Sequence, residues 1–288
     1  MNDINLGSIS GYLKFDSLQC IAASFKYFSL GDIPYHSLSG SLISTYHPYE
    51  FSFDISYSRK LSNVFSLGTA VRYVFSDLAH GGYQSPHYKH GTSLACDISF
   101  LYSKKIKIFS EESRFNFGLN ISNIGSKISY DKNVSSNFIP TNMRLGGSFD
   151  YPIDKFNKIS VSVDLNKLLV PTQNSMTAKE YSDLSPLTGI FKSFSDAPGG
   201  LKEELQEVMW SLGAEYAYNN QFFVRGGYFN ESQYKGNRKY FTAGAGFKLN
   251  IFQLDAAYVI STAQTNPLDQ TLRFSLSFDL FGLKNLIK

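Results

Sequence analysis

The sequence predicts an all-β protein, a transmembrane antiparallel β-barrel of which thirteen strands are visible, with a helical insertion in one extracellular loop. Three observations predict this. First, apolar and polar residues alternate with period two at 4–13, 18–30, 51–60, 64–77, 91–104, 113–123, 141–151, 157–167, 209–219, 222–231, 239–249, 251–261 and 271–280. Second, each stretch has at least roughly the 9–11 residues that a tilted strand needs to cross a bilayer. Third, the connections alternate in length. Short links are KFDS (14–17), LSN (61–63), KIKIFSEE (105–112), PIDKF (152–156), NNQ (219–221) and Asn250, and between them lie 31–50, 78–90, 124–140, 168–208, 232–238 and 262–270. Outer-membrane barrels keep periplasmic turns short and extracellular loops long, and a soluble sandwich has no reason to.

Taken in order, the pattern is cleanest beside the short turns. Phe51, Phe53, Ile55 and Tyr57 alternate with Ser52, Asp54, Ser56 and Ser58. Ile159, Val161, Val163 and Leu165 alternate with Ser160, Ser162, Asp164 and Asn166. The loop 168–208 breaks the rule with two helical pieces. SPLTGIFKSF starts at Ser185 with Pro186 next, and places Leu187, Ile190, Phe191 and Phe194 on one stripe. In the second piece Asp196 reads as N-cap and Pro198 as first residue, with Leu201, Leu205 and Val208 one turn apart. Alternation then resumes from Trp210, and the final stretch sets Leu272, Phe274, Leu276, Phe278 and Leu280 against Arg273, Ser275, Ser277 and Asp279.

One face of each strand is apolar and aromatic. The other carries Ser, Gly and Asn with Lys26, Asp54, Arg72, Asp97, Arg144, Asp164, Glu215, Arg225, Lys248, Asp255 and Arg273. Arg or Lys on a lipid face costs about 2–4 kcal/mol at the midplane, so in a barrel these charges point inward. Alternation alone fits either sign; the even spread of 25 Phe and 19 Tyr favours the membrane version. Thirteen is odd, whereas bacterial single-chain barrels are even. The expectation is therefore a single domain, 1–288, lacking its N-terminus, with at least one strand and a signal peptide preceding Met1: a fragment of a fourteen-stranded barrel, or an incomplete gene reading.

Composition removes other classes. No run of 18 apolar residues exists for a transmembrane helix. The net charge of +3 is scattered, which argues against nucleic acid. Cys20 and Cys96 fall on opposite kinds of face and read as two free thiols. His80, His87 and His90 lie close in sequence but lack metal-ligand spacing, no G-x-S-x-G elbow is present, and the Gly-rich pieces sit in strands or turns. No catalytic residue, cofactor or metal is expected.

The run SFSDAPGGLKEELQEVMWSLGAEYAYNNQFFVRGGYF, with KGNRKYFTAGAGFKLNIFQLDAAY and NPLDQTLRFSLSFDL after it, resembles the PorV (LptO) family of the type IX secretion system of Bacteroidota. FKYFSLGDI and EFSFDISYSRKLSNVFSLGTAVRYVFSDL upstream resemble it too. The resemblance implies a FadL-type fourteen-stranded barrel in the outer membrane that acts as a carrier and not as an enzyme. It implies partners: cargo proteins with C-terminal signal domains, an SprA-type translocon, a PorU-type sortase in the attachment complex, and outer-membrane lipid. The alternatives are a FadL-type channel for hydrophobic small molecules and a lipopolysaccharide deacylase.

Candidate partner-binding residues are the helical stripes, Leu187, Ile190, Phe191, Phe194, Leu201 and Leu205, and the loop tyrosines Tyr35, Tyr46 and Tyr83. Two readings fit the stripes, a cap buried against the barrel rim and a docking surface for cargo or translocon. Tyrosines in polar loops suit recognition and equally suit a membrane interface.

Overall fold

The computed structural model describes residues 4–78, 87–108, 111–131, 136–173, 176–262 and 268–280. In chain order the strands are β1 (Asn5–Lys14), β2 (Gln19–Ser29), β3 (Ile33–His36), β4 (Leu42–Tyr46), β5 (Tyr49–Lys60), β6 (Phe65–Asp77), β7 (Gly91–Ile108), β8 (Glu111–Gly125), β9 (Asn142–Pro152) and β10 (Asn157–Leu168). Three short helices follow, α1 (Ala178–Asp183), α2 (Pro186–Lys192) and α3 (Leu201–Gln206). The chain then continues through β11 (Met209–Tyr218), β12 (Phe222–Asn230), β13 (Lys239–Leu249), β14 (Phe252–Ser261) and β15 (Leu272–Phe278). Among the described residues thirteen strands form one sheet in sequence order, and the β3–β4 hairpin stands apart from it. The expected all-β antiparallel class, with its helical insertion, is what the chain adopts; no described helix is long and apolar enough to cross a membrane.

Contacts divide the chain into two units. One comprises residues 1–100, 120–143 and 168–200, and the other 101–119, 144–167 and 201–288. In the first unit the strand faces sort as follows. Phe53, Ile55, Val71 and Tyr73 are exposed, while Asp54 between them is buried and joined to Arg72. In the second, Val161, Leu212, Val224, Phe241 and Phe274 are exposed, while Arg225 lies between Glu215 and Asp255. Apolar side chains thus point away from the polar face in both units. A water-soluble sheet of this size would bury that face.

The short turns follow from local chemistry. Asp16 accepts hydrogen bonds from the Leu18 and Gln19 amides (2.6 and 2.8 Å), and Asp154 does the same for Phe156 and Asn157 (2.7 and 2.8 Å). These contacts hold both carboxyls below the usual aspartate range, led in each case by the first of the two amides. Asn219 and Asn220 both adopt positive φ (51° and 50°), as a two-residue hairpin turn requires.

Three features differ from expectation. The 31–50 loop contains the β3–β4 hairpin, with Tyr35 opposite Ser44 and a turn at Gly40 (φ +83°). Helix α1 was not anticipated; Thr177 caps it, exchanging hydrogen bonds with Glu180 in a capping box. Asp196 does not cap α3, which begins only at Leu201 after a turn with Gly200 at φ +66°. The Asp196 carboxylate instead accepts the Thr172 amide (2.7 Å).

Candidate docking surfaces

In the first unit, a small apolar core of Ala95, Ile128 and Ile139, with Tyr130 packed on it, lies under the loop that follows β8. Phe138 in that loop is a hub. Its ring meets Tyr181 of α1 edge-on (5.3 Å between centroids), and the Lys127 ammonium sits 4.0 Å from its centre. Lys127 also donates to the Tyr181 and Ser182 carbonyls at the end of α1 (3.1 and 2.8 Å). Burial pushes this lysine below its ordinary value although Asp183 nearby favours the charge.

Helix α2 rests on the same base through its small residues. Ser185 caps it by accepting the Thr188 amide (3.1 Å), and Ser193, buried, donates to the Ile190 carbonyl (2.7 Å). Gly189 is buried so tightly that a Cβ there would stand 2.6 Å from Phe138 and 3.2 Å from Pro171. The large side chains face the other way: Leu187 and Phe194 are exposed, Phe191 is 75% exposed, and Ile190 is half-buried. Of the two readings of this stripe, burial against the rim is not what α2 shows. Small residues took the buried side because only they allow the backbone to approach Phe138. Gly189→Ala is expected to lever α2 outward at a cost of about 1–3 kcal/mol. Faster hydrogen exchange at 186–192, with β1 to β6 unchanged, would be the sign.

Tyr35 and Tyr46 lie on the β3–β4 hairpin and meet edge-on at 5.9 Å. Tyr35 is exposed and Tyr46 half-buried, and Leu38 at the tip is fully exposed. Tyr83 lies outside the described residues. So does His80; His90 faces Asp77 at 3.4 Å, and among the described residues no group of three potential metal ligands gathers.

In the second unit α3 also turns its leucines out, Leu201 and Leu205 being 78% and 66% exposed, so the buried-cap reading does not hold there either. Its carboxylates point inward. Lys167 at the end of β10 donates to Glu204 (2.9 Å) and Glu207 (2.5 Å), and Lys235 in the β12–β13 loop donates to Glu203 (2.6 Å) and Glu207 (3.0 Å). Burial alone would lower Lys235; its hydrogen bonds to Glu203 and Glu207, and their charge, outweigh that and hold it above the ordinary lysine value.

The β12–β13 loop is itself braced. Arg238 donates to both oxygens of Glu231 (2.7 and 2.8 Å), and Gly236 at φ +138° leaves room for that carboxylate. Burial would raise the Glu231 carboxyl, but the side-chain and backbone hydrogen bonds and the charge of Arg238 together lower it. A lowered folded value means stability present above the unfolded value of 4.5 and lost as pH falls through the folded one. Loop 231–238 is expected to loosen in acid below that value, and Glu231→Gln to remove this pH dependence. Amide protection corrected for intrinsic rates at each pH would report both.

A cavity of about 800 Å³ lies on the polar face of β9 to β15. Its wall carries Arg144, Lys158, Arg225 and Arg273 beside Asp150, Asp164, Glu215 and Asp255. Arg225 donates to Glu215 (2.7 Å) and to Asp255 (2.5 Å), and Arg144 donates to Asn166 (2.8 Å).

Sequence reasoning missed Phe138, Lys127, Lys167 and Lys235. Lysines this far in sequence from their partners leave no periodic signal. The hairpin and α1 did leave one: the Ser39-Gly40 turn signal, and the Thr-x-x-Glu spacing at 177–180.

A family model described as Type IX secretion system protein PorV matches residues 1–175, more than half of the chain, and ends before the 193–247 stretch. No curated protein matches the chain.

Proposed function

Since this chain belongs to the PorV family of type IX secretion system proteins, we propose that it is a non-enzymatic outer-membrane carrier that binds the C-terminal signal domain of cargo proteins. It receives them from an SprA-type translocon and hands them to the attachment complex with its PorU-type sortase. The observation that carries this reading is α2. Leu187, Phe191 and Phe194 are displayed to solvent, while Gly189 seats the helix against Phe138 and Pro171 and Ser193 is buried. Exposed aromatics on a rigid base have the form of an interface anchor, with little ordering cost on binding. The exposed Tyr35 and Leu38 of the hairpin offer further contact area.

The exposed apolar strand faces support the outer-membrane location. A channel for hydrophobic molecules would need an apolar cavity, and the charged wall described above weighs against it.

The test is affinity purification of the tagged protein from detergent-solubilised outer membranes, with mass spectrometry of what accompanies it. Recovery of proteins sharing a C-terminal signal domain, lost on Phe191→Asp plus Phe194→Asp, is expected. Recovery of none, with fatty acid held in the purified barrel, would replace the carrier with the channel.

A further inference from the structure

We infer that α3 is an ionic latch, held with its leucines outward by Lys235 and Lys167 and released when the Lys235 contacts are broken. The inference concerns the fold of the second unit and stands whether or not the carrier reading holds.

Helix α3 has six residues, too few to be stable in isolation. A short helix on a protein surface is ordinarily held by burying an apolar stripe. Here the arrangement is inverted, because Glu204 is its only buried residue and both leucines face solvent. Four charge-assisted contacts from two lysines to three carboxylates fasten it, with Glu207, the residue just after the helix, bridging the lysines.

The two arms differ in kind. Lys167 is 8% exposed at the side chain and its carboxylates little more, so salt screens that arm weakly. Lys235 is 25% exposed, facing Glu203 at 27%. It therefore meets dissolved ions and competes with them. The Lys235 arm is the catch and the Lys167 arm the hinge. The catch sits on a loop braced by the Glu231–Arg238 pair, which holds the backbone at the base of the Lys235 side chain in place. Salt, or a partner that offers its own cations to Glu203, opens the latch without disturbing the strands below.

The test is hydrogen exchange on the full chain in lipid nanodiscs, read over 201–207. Lys235→Gln is expected to speed exchange there about tenfold, with β10 to β13 unchanged, and Lys235→Arg to stay close to wild type. Raising salt to about 1 M, where the Debye length is about 3 Å, is expected to reproduce Lys235→Gln in the unmodified protein. Exchange in α3 that ignores both the substitution and salt would overturn the latch. Exchange that accelerates equally through β11 to β13 would also overturn it, because the lysine would then be bracing the sheet.

Discussion

Replacing Arg72 with methionine is expected to destabilise the protein by about 3–5 kcal/mol, the cost of stranding buried charges. The guanidinium donates to Asp54 and Asn123, and to both oxygens of Asp97 (2.9 and 3.3 Å). It thus ties β5, β6, β7 and β8 together across the polar face. The Asp54 and Asp97 side chains are 8% and 15% exposed, so without the arginine two carboxylates face each other with little water. Ser24 Oγ (3.1 Å) and the Asn123 amide (2.8 Å) each remain as donors to one of them, which softens but does not remove the repulsion. Urea unfolding of the protein in lipid, read by the shift of the midpoint, measures the loss. Arg72→Lys is expected to recover only part, because an ammonium cannot match the planar fork. A loss below about 1 kcal/mol would mean that water reaches this face freely.

The second large effect is expected at Lys167. Lys167→Met removes the Lys167 ammonium from both Glu204 and Glu207, and Glu207 keeps its contact with Lys235. Breaking such a pair costs about 3–5 kcal/mol when the remaining charge stays buried. Here the helix has an escape. It can lift and hydrate its carboxylates, so the loss is expected to fall on α3 while the sheet persists. The measurement is protection at 201–207 against the urea midpoint of the whole protein, with the first abolished and the second little changed. Adding Glu204→Met is expected to restore protection, since replacing a buried pair by apolar residues of similar volume is often neutral or stabilising. No restoration would show that α3 depends on the charge of Glu204 itself.

The tight turns at Asp16, Asp154 and Asn219-Asn220 were legible because their chemistry is local: a carboxylate accepts amides two and three residues on, or an asparagine pair takes positive φ. Ser185 as the cap of α2, with Pro186 after it, was legible for the same reason. Asp196 carried an equally good capping signature and was drawn away by the Thr172 amide, 24 residues distant. The face on which Leu187, Phe191, Leu201 and Leu205 lie was correct. The direction that face points was open.

The sequence by itself determined the thirteen strands and their order, most of their turns, the polar ladder on one face and the family, because period-two alternation and turn chemistry act over a few residues; at 105–112, read as a link, β7 and β8 instead run on to Ile108 and from Glu111. Only the tertiary structure decided which side of each loop helix is buried. Gly189 faces inward because Phe138 leaves space for nothing larger, and the α3 glutamates face inward because Lys167 and Lys235 wait there. A stripe of leucines ordinarily seeks the interior, and no periodicity reveals that a distant aromatic ring or a pair of lysines has already taken the inner side.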